Sequence, residues 1–125
     1  MYRYASVARR NFKIRWGLRG NLVQDHHAIP VQWREHPVVR AVNYDFNGSD
    51  NIVMMPTPKG KETLNVRLDR LVHYGGHWKY NLYVGTWLDH IQKIQDPQEM
   101  MEEFYNFRDF LKRNCRDNSD HIPWR

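Results

Sequence analysis

From Tyr80 to Leu111 apolar residues recur at every third or fourth position, and this pattern constrains the fold more than any other feature of the chain. Tyr80, Val84, Trp87, Leu88, Ile91 and Ile94 make one such run, with His77 on the same face, and Met100, Phe104, Phe107 and Leu111 make a second. That period gathers side chains on one face of an α-helix. Two helices with one apolar face each must cover those faces with other structure, so this part of the chain predicts a packed helical layer. The start of the second helix is written in its sequence: Asp96 as N-cap, Pro97 at the first helical position and Glu99 completing a capping-box pattern. Glu99, Glu102 and Glu103 crowd its first turns and Lys112, Arg113 and Arg116 its last, as the helix dipole favours. Gly75 and Gly76 disfavour a helix running smoothly through them, so the first helix is expected to begin near His77.

The remainder must complete one core, because 125 residues of which 41% are hydrophobic suit a single domain. LVQDHHAIPV follows the turn residues GLRGN and reads as a short strand or extended segment, and IVMM at 52–55 is a strand candidate between the turn signals NGSDN and PTPKG. The rest of 31–75 is expected to be irregular, as is the tail NSDHIPWR. Cys115 is the single cysteine, so no internal disulfide forms and any metal must be held by nitrogen and oxygen. No apolar run approaches the roughly 20 residues that span a bilayer, and no secretory signal is evident. An intracellular location is expected, without distinguishing cytoplasm from nucleus.

Charge is uneven along the chain. The net charge is +5, and Arg3, Arg9, Arg10, Lys13, Arg15 and Arg19 all precede the first acid, Asp25. Such a composition also resembles that of a mitochondrial transit peptide, but VARRNFKIRW carries enough apolar residues to be a structured strand or arm. A basic arm suits a polyanionic partner, which makes Arg9, Arg10, Lys13, Arg15 and Arg19 candidate nucleic-acid contacts; a merely solvated basic face would look the same.

Seven histidines are spread through this basic chain, and four of them sit in patterned positions. In an extended QDHHAIP segment, His26 and His27 point to opposite faces and cannot share one job. His73 and His77 are four residues apart, which places two imidazoles on one side of a helix or at its entrance. These side chains could converge on one ion, since imidazole is a common ligand for zinc, nickel or manganese. Each also has a plain reading as a hydrogen-bonded or capping histidine. His36, His90 and His121 have no partner pattern and are taken as structural.

The order HHxIP, then Asn51 before an apolar run ending in proline, then HxGxHxxYNxxV with Tyr80, Asn81 and Val84, resembles the AHH nuclease family of the HNH and endonuclease VII superfamily. The likeness covers roughly residues 24 to 91. It implies a small α+β domain built on a ββα-metal (His-Me finger) core at 21–95, with a basic N-terminal arm at 1–20 and an additional C-terminal helix at 96–118. It implies that His26 is a metal ligand, that His27 is the general base and that Asn51 braces the loop holding the base. His77 matches a further ligand, with His73 as its companion. Asp25 stands where the family has alanine, and could be a nearby carboxylate or a competing ligand.

The activity implied is a metal-dependent endonuclease that hydrolyses DNA with little sequence preference, leaving 5′-phosphate and 3′-hydroxyl ends. RNA stays open as a substrate, as does an inhibitor or immunity protein should the chain be a toxin. One divalent ion is expected, among Mg²⁺, Mn²⁺, Zn²⁺ and Ni²⁺. The chemistry agrees: hydrolysis needs water deprotonated near neutral pH, for which an imidazole with a pKa of about 6.5 is suited, and a cation opposite the developing negative charge. Two alternatives come from other classes. One is a catalytically inactive nucleic-acid-binding protein that keeps the nuclease fold, and the other a histidine-built structural zinc site in an interaction module.

Overall fold

The apolar–polar alternation around the paired histidines forms strand β1 (Val23–His27), which runs antiparallel to β2 (Ile52–Pro56) in a two-stranded sheet. The register sets His26 opposite Val53 and His27 opposite Ile52. His26 is buried and its neighbours Asp25 and His27 are half-buried, so the strand turns them to different surroundings. These coordinates are a computed structural model that describes residues 7–15, 17–18, 22–64, 73, 76–117 and 122–124.

Between and after the strands the chain is more regular than its turn signals suggest. Val31–Trp33 is a turn of 3-10 helix, α2 spans Pro37–Ala41 and α3 spans Pro58–Thr63. The prolines that read as turn markers begin these helices, where a missing N–H costs nothing. His36 caps α2 by accepting from the Val38 N–H at 3.2 Å, and its Nε2 lies 2.8 Å from Asp89 Oδ1, a structural role. Thr57 caps α3 by accepting from the Gly60 N–H at 3.0 Å.

The two long helices are α4 (Trp78–Gln92) and α5 (Pro97–Asp117), and α5 lies against both β2 and α4. Asp96 Oδ2 accepts from the Glu99 N–H at 3.1 Å, which is the expected cap. Tyr80, Val84 and Leu88 of α4 and Phe104, Leu111 and Cys115 of α5 are fully enclosed with Ala28, Ile29, Val38 and Met55. Trp87, expected in this core, is instead 44% exposed. It stands at the edge of the α4 stripe, where its ring meets Tyr83 and Phe107 but no third layer covers it.

The basic N-terminal segment, expected as a structured strand or arm, is not a strand over Val7–Arg15 but a helix, α1. The helix is closed by the Leu18 N–H donating to the Lys13 carbonyl at 2.7 Å and the Gly17 N–H to the Ile14 carbonyl at 3.2 Å. Gly17 has φ +71°, so the glycine that reads as a loop residue is the left-handed residue that ends a helix. Among the described residues, no helix is long and apolar enough to cross a membrane. The irregular tail is borne out at Ile122–Trp124, although Ile122 is buried.

Candidate active site

Strand β1, a residue in the segment ahead of α4 and the residue at the N-cap position of α4 meet at one place. His26, His73 and His77 each offer a ligand atom there, and these atoms lie within 4.8 Å of one another. The ring centroids are 5.4 Å apart for His26 and His73, 5.0 Å for His26 and His77, and 5.3 Å for His73 and His77. His73 reaches the cluster because its N–H bonds the Pro56 carbonyl at the end of β2, at 2.8 Å. His77 is the N-cap residue of α4, as the glycines ahead of it implied.

Hydrogen-bond accounting shows what this cluster lacks. Among the described residues, His26 Nε2 and His73 Nδ1 are buried and have no hydrogen-bond partner, an arrangement that is costly unless something else engages them. His77 differs: its Nδ1 lies 3.0 Å from Asn81 Oδ1, which orients the ring and leaves Nε2 as the nitrogen that could ligate. Burial, followed by the proximity of His77, His73 and His27, holds the pKa of His26 well below 6.5. Burial and then His77 lower that of His73. Both effects favour neutral imidazole, the form that binds metals. A three-imidazole donor set, with an orphaned nitrogen on His26 and on His73, therefore fits a divalent ion of the zinc, nickel or manganese type.

His27 lies beside this cluster, and the chain just after it is held at every polar backbone group. The Ala28 N–H donates to the Asn51 carbonyl at 2.7 Å, and the Ala28 carbonyl accepts from the Tyr80 hydroxyl at 2.5 Å. The Ile29 N–H donates to Asn51 Oδ1 at 2.8 Å, and Asn51 Nδ2 donates to the Ile29 carbonyl at 3.2 Å. Asn51 is fully buried and also meets the Phe46 carbonyl at 3.0 Å and the Tyr44 hydroxyl at 2.7 Å. It is a brace between the segment after His27 and the loop before β2, more than a turn residue of NGSDN.

His27 Nε2 lies 3.1 Å from Asn47 Oδ1 on that same loop. A cavity of about 320 Å³ opens over Asp25, His26, His27, Gln32, His73 and His77. Asp25 is outside the cluster of candidate ligands among the described residues; its carboxylate instead lies 3.1 Å from Lys13 Nζ of α1.

The sequence profile of one family matches residues 9–111: AHH, a nuclease family of the HNH/ENDO VII superfamily with conserved AHH. The chain belongs to the AHH family. Its own version of the signature is Asp25–His26–His27, and the matched region takes in the sheet, α2, α3, α4 and most of α5. No curated protein and no solved structure matches the chain. As in a nuclease family generally, the expected substrate is a nucleic acid.

Two residues at the AHH site escaped the sequence reading. Asn47 was signalled only as part of a turn cluster, and Trp124 sits in a tail without pattern, yet its ring centroid is 5.0 Å from that of His26 and 4.9 Å from that of His77. Of the basic candidates, Arg10 and Arg15 are exposed on α1 and Lys13 is engaged with Asp25. The side chain of Arg9, and all of Arg19 and His121, lie outside the described residues.

Proposed function

We propose that the protein is a metal-dependent endonuclease that hydrolyses phosphodiester bonds of DNA with little sequence preference, using a ββα-metal core. The observation that carries this reading is the cluster of three imidazoles, two of them with an orphaned nitrogen, set in one cavity beside a histidine whose following backbone is fully braced. His26, His73 and His77 would hold one divalent ion. When bound, such an ion supplies a Lewis acid that offsets charge on the scissile phosphate and its leaving oxygen.

His27 is the general base in this reading. With the Nε2 proton directed to Asn47 Oδ1, the basic lone pair is on Nδ1, and the nitrogen takes a proton from water as that water attacks phosphorus. Asn51 acts as a positioning residue by holding Ala28 and Ile29, so that His27 enters each reaction in one orientation. The bases of α1, Arg9, Arg10, Lys13 and Arg15, and Arg19 further along the sequence, would hold phosphates without reading bases.

The test is incubation with supercoiled plasmid in Mg²⁺, Mn²⁺, Zn²⁺ or EDTA, beside His27→Ala from the same preparation. Nicking by the wild type in a divalent ion, absent in EDTA and absent in the variant, is the expected result. Retardation of plasmid without cutting, by both proteins in every metal, would replace this reading with the nucleic-acid-binding one.

A further inference from the structure

Helix α4 begins without a side-chain cap: His77 occupies the N-cap position but makes no capping hydrogen bond, and its Nδ1 is turned to Asn81. Early N–H groups of a helix need an acceptor from elsewhere. The Tyr80 N–H finds one in the carbonyl of Trp124, at 3.2 Å, from a residue far along the chain. That single bond places the Trp124 side chain over the site. Its ring centroid lies 5.0 Å from His26, 5.7 Å from His73, 4.9 Å from His77 and 5.2 Å from Tyr80, so one indole touches all three candidate ligands. Ile122, two residues earlier, is buried in the core and anchors the segment.

None of this follows from family membership, because the matched region ends at residue 111. Among the described residues, the Trp124 Nε1–H is itself buried without a hydrogen-bond partner, as are His26 Nε2 and His73 Nδ1. Three unsatisfied nitrogens thus lie together in one aromatic enclosure. An indole held against imidazoles limits their χ rotation and keeps water from the face it covers, and outer residues of this kind set the orientation of metal ligands.

We infer that Trp124 is a positioning residue of the metal centre: its carbonyl secures the start of α4, and with it His77, while its ring holds His26, His73 and His77 in a ligand-ready arrangement. The inference rests on the metal-centre reading above and extends the site beyond the family region. It predicts that metal affinity and ligand geometry depend on Trp124 even though indole is not a ligand.

The experiment is titration with Co²⁺, followed by visible absorption, and with Zn²⁺, followed by calorimetry, on wild type, Trp124→Ala, Trp124→Phe and His77→Ala. Trp124→Ala is expected to bind roughly ten- to a hundredfold more weakly, the range typical of residues that orient ligands. Its Co²⁺ spectrum should change while far-ultraviolet circular dichroism stays that of wild type, and Trp124→Phe should fall between the two. Wild-type affinity and spectrum in Trp124→Ala would overturn the proposal and leave the metal centre standing. Should Trp124→Ala fail to fold, Trp124→Phe decides: an altered spectrum with intact fold supports the role, and an unchanged affinity and spectrum overturns it. No Co²⁺ or Zn²⁺ binding by wild type, or His77→Ala binding as wild type does, would sink the metal-centre reading itself and the proposal with it.

Discussion

At the scale of single residues, the site is a set of polar groups placed where only a specific partner makes them tolerable. Asn51 is the clearest case, with its side chain serving Ile29 N–H, the Ile29 and Phe46 carbonyls and the Tyr44 hydroxyl from a fully buried position. Asn51→Ala leaves those groups unpaired, and since each buried orphan costs about 1–3 kcal/mol, a loss of about 3–5 kcal/mol in denaturant unfolding is expected. Surviving folded protein should cleave poorly, because Ala28 and Ile29 no longer fix His27. His26 makes a different prediction. Its folded pKa is depressed below 6.5 by burial, so below pH 6.5 the unfolded chain binds a proton that the folded protein refuses. Metal-free stability should therefore be fully present above 6.5 and decline as pH falls from there toward the folded value. His73 contributes with the same sign. Chemical melts in EDTA from pH 8 to pH 5 check this, and midpoints that do not fall on acidification would contradict the burial of His26.

At the scale of elements, the short helices α3 and α1 are each tied to the β1 region by a close contact. Gly60 of α3 packs so closely on the residue before β1 that a Cβ would lie 1.7 Å from the Leu22 carbonyl oxygen, which also accepts from the Thr57 N–H at 3.0 Å. Alanine gains about 1 kcal/mol of helix propensity over glycine, but the clash is with backbone and costs about 1–3 kcal/mol of overpacking. Gly60→Ala is expected to lower stability by up to about 2 kcal/mol in thermal or denaturant melts. Helix α1 is tied by the ion pair of Lys13 and Asp25, whose side chains are 25% and 8% exposed. Asp25→Ala, which restores the residue of the family signature, should release α1 while leaving Zn²⁺ affinity near wild type. Nucleic-acid affinity should fall in the variant, because Lys13 would no longer be held against Asp25 at the cavity. A large loss of Zn²⁺ affinity in calorimetry would return Asp25 to the ligand set.

At the scale of the whole molecule, the core and the site are neighbours but not the same object. Ile29, Val38, Leu88, Phe104 and Leu111 pack together with no reference to an ion, so removing metal with EDTA should leave circular dichroism largely unchanged and abolish cleavage. Zn²⁺ restored to about a hundred times its dissociation constant should then raise stability by about 2.7 kcal/mol in a thermal shift. Unfolding on metal removal would point instead to a structural zinc module.

What could be read without coordinates was whatever depends on near neighbours in sequence. The helical stripes at Tyr80, Val84, Leu88 and at Phe104, Leu111, the Asp96 cap and the start of α4 at His77 all follow from periods and caps that act within one or two turns. The histidine pattern offered His26, His27, His73 and His77 together, and the family resemblance separated His26 from His27. His26, His73 and His77 do come together, but His73 lies on no helix and joins them through its bond to the Pro56 carbonyl, which helical spacing does not encode. Tertiary structure decided the rest. The basic segment became α1, pinned by Asp25, since Gly17 serves equally a loop or a helix end and the preference between them is small. Trp87 stayed at the surface because whether the edge of a stripe is covered depends on what packs there. Trp124 reached the histidines through one carbonyl bond to a residue 44 positions away. No period or cap encodes a contact of that range; it exists because the assembled core brings the tail to an uncapped helix end.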